Sequence, residues 1–271
     1  MRTQPQDVIA KLEADNSRLA KEKILLDAMN EGLDEFFEGL KMCLDKLYTF
    51  GVKQVPTKDE VVAGQGCPWN VFKDLAEKLY NRELTGHNAR DAINLVMSSA
   101  TAEQWNGFYR RILIKDLRCG VSEKTVNSVA KKNKFGKYMV PVFTCQLAHD
   151  SANHEKKLVG KKMLEVKLDG VRTLAIVHPD GKVDMLSRNG KEFTNFGHIQ
   201  DEISAVVKQD PPPYPLVLDG EVMSENFQDL MKQVHRKGSA DAKDAVLHLF
   251  DFIPLEEFKK GKWDKTQTLR T

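Results

Sequence analysis

The chain has 271 residues, 41% hydrophobic and 30% charged, with a net charge of +2, enough to bury the cores of one large or two ordinary domains; we expect two. No apolar run approaches the roughly 18 residues that a membrane span needs, and the opening MRTQPQDVIAKLEADNS lacks the apolar heart of a secretion signal, so a soluble, cytoplasmic protein with no membrane partner is expected. Cys43, Cys67, Cys119 and Cys145 show neither CxxC nor Cys/His ligand spacing, which argues against zinc and against a disulfide framework and leaves reduced thiols used in packing.

From residue 7 to 134 apolar residues recur three and four apart, the period of helices that bury one stripe. DVIAKLEADN is the first such segment, and the stripe through Leu25, Met29, Leu33, Phe36, Phe37, Leu40 and Leu44 reads as core. Gly51 and Pro56 interrupt the pattern, VAGQGCP makes a loop, and WNVFKDLAEKLYNREL resumes it. Thr85-Gly86 is expected to close that helix, with Asn88 capping the next. The segment AEQWNGFYRRILIKDLRCGVSEKTVNSVAKK divides at Cys119-Gly120; Gly120 suits the left-handed residue past a helix end, and Ser122 the following N-cap. Such a junction collects backbone N–H groups and basic side chains where they can grip phosphates, and it is equally how helical bundles turn a corner. Between residues 110 and 137 lie Arg110, Arg111, Lys115, Arg118, Lys124, Lys131 and Lys132, with Lys134 and Lys137, against only Asp116 and Glu123. A nucleic-acid footprint would begin here; a solvated helical face is the competing reading.

After NKFGKYMVPVFT, read as a linker, the signal changes. KMLEVKL, VRTLAIV, KVDMLS, PLVLDGEVM and AVLHLFDFI are short β-branched and aromatic runs parted by turn signals at Pro179-Asp180-Gly181, at Asn189-Gly190 and at Pro211 to Pro213. One helix is expected over 197–208, with Ile199, Ile203, Val206 and Val207 inward, and another near 226–236. The fold class is therefore an all-α N-terminal domain, residues 1–138, followed by an α+β domain with a mainly antiparallel sheet, residues 139–271.

EVKLDGVR, residues 165 to 172, sets Lys167 inside what reads as a strand. A strand lysine is ordinarily a solvated face or an edge guard, and Asp169-Gly170 an ordinary turn. Burial within an apolar strand would instead favour the neutral amine, a nucleophile, with Arg172 and Lys191 pushing the same way. Alternation would put Glu165 and Asp169 on the same strand face as Lys167, where they could orient it or hold a metal. Arg188 in LSRNG sits at a strand end where a guanidinium can hold a phosphate. Glu221 in LDGEV is a carboxylate in an apolar strand, costly unless paired, hydrogen-bonded or on a metal. Phe250 in HLFDFI offers a flat face for a base, although most such rings are core.

K-x-D-G-x-R, then S-R-N-G, then D-G-E, then an apolar F-D strand, in that order, resembles the nucleotidyltransferase motifs of ATP-dependent DNA ligases. PVFTCQLA resembles the segment leading into that domain, and ELTGHNARDAI with RRILIKDLRCGVSEKTVNSVAKK is similar to the helical DNA-binding domain of phage-type ligases. The resemblance implies that Lys167 attacks the α-phosphate of ATP, that Glu165 contacts the adenine edge and that Phe250 stacks on the ring. It further implies that Arg172 and Arg188 hold ribose and phosphate groups or the 5′-phosphate of the nick. Glu221 would contact the ribose and a divalent metal such as Mg²⁺, and Asp169 would help position metal or nick. The partner would be nicked double-stranded DNA, the protein a monomer serving replication, repair or recombination, and its place the host cytoplasm if phage-encoded. Capping-type or RNA-ligase nucleotidyltransferases share the lysine motif, and a nick-binding protein that has lost the reaction would share the scaffold. The family's E-G-x-x-x-K element, its strand of paired lysines and its OB-fold domain do not follow the F-D strand here. The expectation is therefore a truncated nucleotidyltransferase domain, poor at sealing nicks and weak in self-adenylylation.

Overall fold

The computed structural model describes residues 3–61, 64–162, 164–225 and 244–261; the helix expected near 226–236 lies outside them. The chain divides into two compact units, Met1–Phe143 and Thr144–Thr271. The division falls after Phe143 rather than at residue 138, because Tyr138 and Val140 are buried in the helical core and Val140 exchanges hydrogen bonds with the Asn127 side chain.

Among the described residues the regular elements of the first unit are all helical. They are α1 (Pro5–Ala14), α2 (Arg18–Asn30), α3 (Asp34–Leu44), α4 (Trp69–Tyr80), α5 (Gly86–Ser99), α6 (Ala102–Gln104), a π-helical turn (Trp105–Tyr109), α7 (Arg110–Leu113), α8 (Glu123–Lys132) and a 3₁₀ turn (Gly136–Tyr138). The expected stripe is core: Leu25, Phe36, Leu40, Phe72, Trp105 and Phe108 are fully buried. Cys43, Cys67 and Cys119 are buried in it as free thiols. Two boundaries differ from expectation. Helix α5 starts at Gly86 with Thr85 as N-cap, three residues before the predicted cap Asn88, since the Ala89 N–H already closes a turn onto the Thr85 carbonyl. Helix α7 ends at Leu113 and is closed by the left-handed Lys115 (φ +59°); Gly120 is left-handed as expected (φ +65°) but lies in the connection to α8. Ser122 does cap α8, its side chain accepting from the Thr125 N–H.

Three lysines of this unit point inward onto backbone carbonyls, and two of them, Lys58 and Lys115, do so at helix ends. Lys58 donates to the carbonyls of Met97, Ser98 and Ala100 at the end of α5, at 2.6–3.0 Å. Lys21 reaches the Cys119 carbonyl at 2.8 Å. Lys115 takes the carbonyls of Met42, Asp45 and Tyr48 at 2.6–2.7 Å, around the end of α3. Helix ends leave up to four carbonyls without helical partners, and an ammonium with three donors answers that need.

Among its described residues the second unit holds one four-stranded sheet, β1 (Val171–Val177), β2 (Val183–Ser187), β3 (Leu216–Met223) and β4 (Val246–Pro254), with α9 (Gly197–Gln209) and α10 (Leu255–Lys260). Every pairing is antiparallel, in the order β2-β1-β3-β4. Ala175, Val177, Met185 and Val222 form one face, packed with Phe193, Phe196, Ile199 and Val207. Val206, expected inward, is 67% exposed, because the helix buries Ile199, Ile203 and Val207 and turns its neighbour outward. The predicted strand KMLEVKL is not one. Leu164 and Val166 are 98% and 84% exposed, and β1 begins only at Val171, where the first ladder partner, Val222, becomes available.

At the β1–β2 hairpin, Asp184 is buried beside His178, whose Nε2 lies 3.7 Å from its carboxylate, and is bonded by the Lys182 ammonium. Burial alone would raise this carboxyl, but His178 and Lys182 outweigh it and hold it down from 3.8 to about 2. A depressed carboxyl stabilises the fold above its unfolded pKa, so about 2 kcal/mol should disappear between pH 3.8 and pH 2. Urea melts of native chain and Asp184→Asn across that window check it: the variant should be weaker at pH 7 and lack that part of the acid loss.

Candidate active site

The polar residues of the second unit gather on the sheet face opposite α9. Arg172 lies directly across the β1–β3 ladder from Glu221, and Asp219, two residues earlier on β3, shares that face. The guanidinium reaches diagonally: Nε and Nη2 donate to the two carboxylate oxygens of Asp219 at 2.5 and 2.6 Å. Both side chains are about four-fifths buried. Strand β4 carries an extra residue here, for Asp219 opposes Asp251 while Gly220 opposes Leu249, which leaves Phe250 in a β-bulge. The Arg172 guanidinium carbon stands 4.9 Å from the centre of the Phe250 ring, a cation–π distance. Gly220 permits this crossing, since a Cβ there would meet the His248 carbonyl at 2.6 Å.

Gly170 joins the segment before β1 to the same face. Its N–H donates to Glu221 Oε1 at 3.1 Å, and a Cβ would lie 2.3 Å from the Val222 carbonyl, so no other residue fits without backbone movement. Partial burial raises the Glu221 carboxyl, offset in part by that N–H, by Arg172 and by Lys167.

Lys167 departs from the sequence expectation. It lies outside the sheet, about four-fifths exposed, with its ammonium bonded to the Asp169 carboxylate. That bond and the charges of Asp169 and Glu221 raise the amine above its ordinary range, so the protonated form is favoured, not the neutral one. Desolvation fails as an activator because there is no strand around Lys167 to bury it. Glu165 and Asp169 are exposed on the same irregular segment.

Arg188 is exposed just beyond β2, in the turn where the Gly190 N–H donates to Ser187 O. The Cys145 thiol reaches the Arg188 carbonyl at 3.7 Å. Burial pushes that thiol up while Arg172 and Arg188 pull it down and Asp219 adds to the rise, so both arginines lie within electrostatic reach of one point. The structure thus brings together Arg172, Glu221, Phe250 and, through Gly170, the Lys167 segment, while Arg188 stands beyond β2 with its carbonyl against Cys145. Asp219 was missed from sequence; its signal was that a guanidinium in an apolar strand needs a carboxylate on the same face.

In the first unit the basic stretch separates into two groups. Arg110 donates through Nε to Val55 O, and Arg111 is held by the carbonyls of Asn106 and Leu117 and by Glu13. Lys115 spends all three ammonium donors on carbonyls, and Arg110 and Arg111 are anchored to backbone oxygen through part of their guanidinium donors. Burial pushes the Lys115 ammonium down to about 8, with the charges of Cys43 and Asp45 working against it. Lys124, Lys131 and Lys132 are exposed on α8, and Arg118 is exposed with Asp116 at 3.6 Å.

Residues 144–267 match the family model of the ATP dependent DNA ligase domain. The DNA ligases of Enterobacteria phages T4 and T6 are each 26% identical over 151 residues, 54% of this chain and 30% of theirs. A solved chain, Pmar-Lig_PreS3, is 63% identical over 99% of this chain and 61% of its own length, with a TM-score of 0.56. The chain thus spans under two thirds of that structure and under one third of the phage ligases. With Arg172, Glu221 and Phe250 of the ordered motifs carried on one antiparallel sheet, residues 144–267 are similar to the ATP dependent DNA ligase domain.

Proposed function

We propose that the chain carries the adenylation chemistry of an ATP-dependent DNA ligase, joining AMP to Lys167 as the first step in sealing nicked duplex DNA. The observation that carries this reading is the single sheet face on which Arg172, Glu221 and Phe250 meet, tied by Gly170 N–H to the segment bearing Lys167. In the reaction the Lys167 amine, once its proton is lost, attacks the α-phosphorus of ATP and pyrophosphate leaves. Phe250 stacks on the adenine, Glu165 meets its edge, and Glu221 takes the ribose. Arg188 faces the phosphates or the 5′-phosphate of the nick, and Arg172 stands against the Phe250 ring.

No set of three or more His, Cys, Asp or Glu among the described residues is arranged to hold a metal ion. Glu221, with Asp169, nevertheless fits Mg²⁺, which is commonly bound by one or two carboxylates with substrate phosphates completing the shell. When bound, the cation neutralises charge on the phosphates.

The helical unit is the DNA-binding part, acting through Lys124, Lys131, Lys132 and Arg118 without reading sequence, and the protein works as a monomer in the cytoplasm. Four phosphate contacts would cost about 150-fold in nicked-duplex affinity between 50 and 200 mM salt. A flat response would remove the phosphate-binding assignment. Incubation with α-labelled ATP, GTP or NAD and Mg²⁺ tests the reading as a whole. Label from ATP alone supports it, and label from GTP points to capping chemistry. No label with intact nick binding points to a binding protein.

A further inference from the structure

We infer that Asp219 is a positioning residue of the nucleotide site: through its paired bonds to Arg172 it fixes that guanidinium against the Phe250 ring, and so fixes the tilt of the ring for the base. The inference rests on the adenylation reading and deepens it. Three independent features of the fold converge on the carboxylate. Asp219 engages two edges of one guanidinium, which fixes its plane as a single bond would not. That plane lies at cation–π distance from Phe250. Phe250 is itself the bulged residue of β4, opposite the Asp219–Gly220 step, so strand register alone leaves its side-chain direction loosely set. An arginine whose positive charge is already matched by a carboxylate on its own sheet face is poorly suited to neutralise a triphosphate. It is well suited to hold a ring. Glu221, the carboxylate directly opposite Arg172 in the ladder, accepts instead from Gly170, so the two acidic residues of L-D-G-E divide the work: one holds the Lys167 segment, the other the ring.

The division predicts a signature that a merely structural role does not give. Equilibrium binding of ATP and of inorganic tripolyphosphate is measured by calorimetry for the native chain, Asp219→Asn, Asp219→Glu, Arg172→Ala and the Asp219→Asn/Arg172→Ala double variant. Asp219→Asn should weaken ATP about tenfold, the scale of one impaired base stack, and leave tripolyphosphate within about twofold. Asp219→Glu should recover part of the loss. In the Arg172→Ala background the further change at Asp219 should cost less than about twofold, because the two act as one unit. Unchanged ATP affinity in Asp219→Asn overturns the inference, as does an equal loss for tripolyphosphate or a full Asp219 effect without Arg172. If the native chain neither binds ATP nor takes label from it, the adenylation reading fails, and the inference with it. Thermal melts separate these outcomes from unfolding: a variant melting far below the native chain with ATP and tripolyphosphate lost together counts against the positioning role.

Discussion

Lys167→Ala should abolish transfer of label from α-labelled ATP to the chain, a loss of more than about a thousandfold, as removal of a covalent nucleophile causes elsewhere. The fold adds a pH dependence that the motif alone does not contain. Asp169 bonds the ammonium and, with Glu221, raises it above the ordinary lysine range. Only the neutral amine attacks, so labelling of the native chain should still be rising with pH in the most alkaline range the protein tolerates. Asp169→Asn removes the main cause of the elevation, so the rising limb should move to lower pH, whatever happens to the maximal rate. Single-turnover labelling as a function of pH checks both. Label retained by Lys167→Ala would assign the nucleophile elsewhere, and an unmoved limb in Asp169→Asn would show that the pair does not hold the proton.

Lys115→Ala should destabilise the helical unit by about 3 kcal/mol, the scale of leaving several buried acceptors without their charged donor. Its ammonium serves the carbonyls of Met42, Asp45 and Tyr48, and its backbone occupies the left-handed region at about 1 kcal/mol of strain, which those contacts offset. Lys115→Met keeps the stem and loses the donors, so it should retain most of the damage if hydrogen bonding, not packing, dominates. The triple variant Lys124→Ala/Lys131→Ala/Lys132→Ala, all exposed positions on α8, should behave oppositely: stability within about 0.5 kcal/mol per site, with weaker nicked-duplex binding and a salt slope reduced by about one per lost contact. Denaturant midpoints and binding titrations on both variants separate the two groups. A Lys115→Ala chain of native stability would return that residue to the DNA-facing set.

Those two groups were adjacent in sequence and indistinguishable there. Arg110, Arg111 and Lys115 count as positive charge in any window, yet each is drawn inward by carbonyls up to about seventy positions away in the chain, such as Met42 and Val55. Local spacing carries no record of where a helix end will need a donor. The strand limits of the second unit were far more legible: VRTLAIV is β1 residue for residue, and the other three described strands fall inside their predicted runs or within a residue of them. Turn chemistry and β-branched runs are local properties, so they can be read locally. The segment just before β1 misled because Leu164 and Val166 look like strand residues, whereas a strand exists only where a ladder partner does.

By itself, then, the sequence determined the helical and sheet regions, an order of motifs that resembles that of ATP-dependent DNA ligases, and Lys167 as the residue to test. Tertiary structure alone decided the state and company of those residues: Lys167 exposed and protonated beside Asp169, Arg172 committed to Asp219 and laid against Phe250, Glu221 accepting from Gly170. The physical reason is that residue type and spacing carry chemical capacity along the chain. Burial, diagonal contacts across a ladder and a one-residue bulge arise only when distant segments meet, and they set which charge is shielded, which proton is held and which way a ring faces.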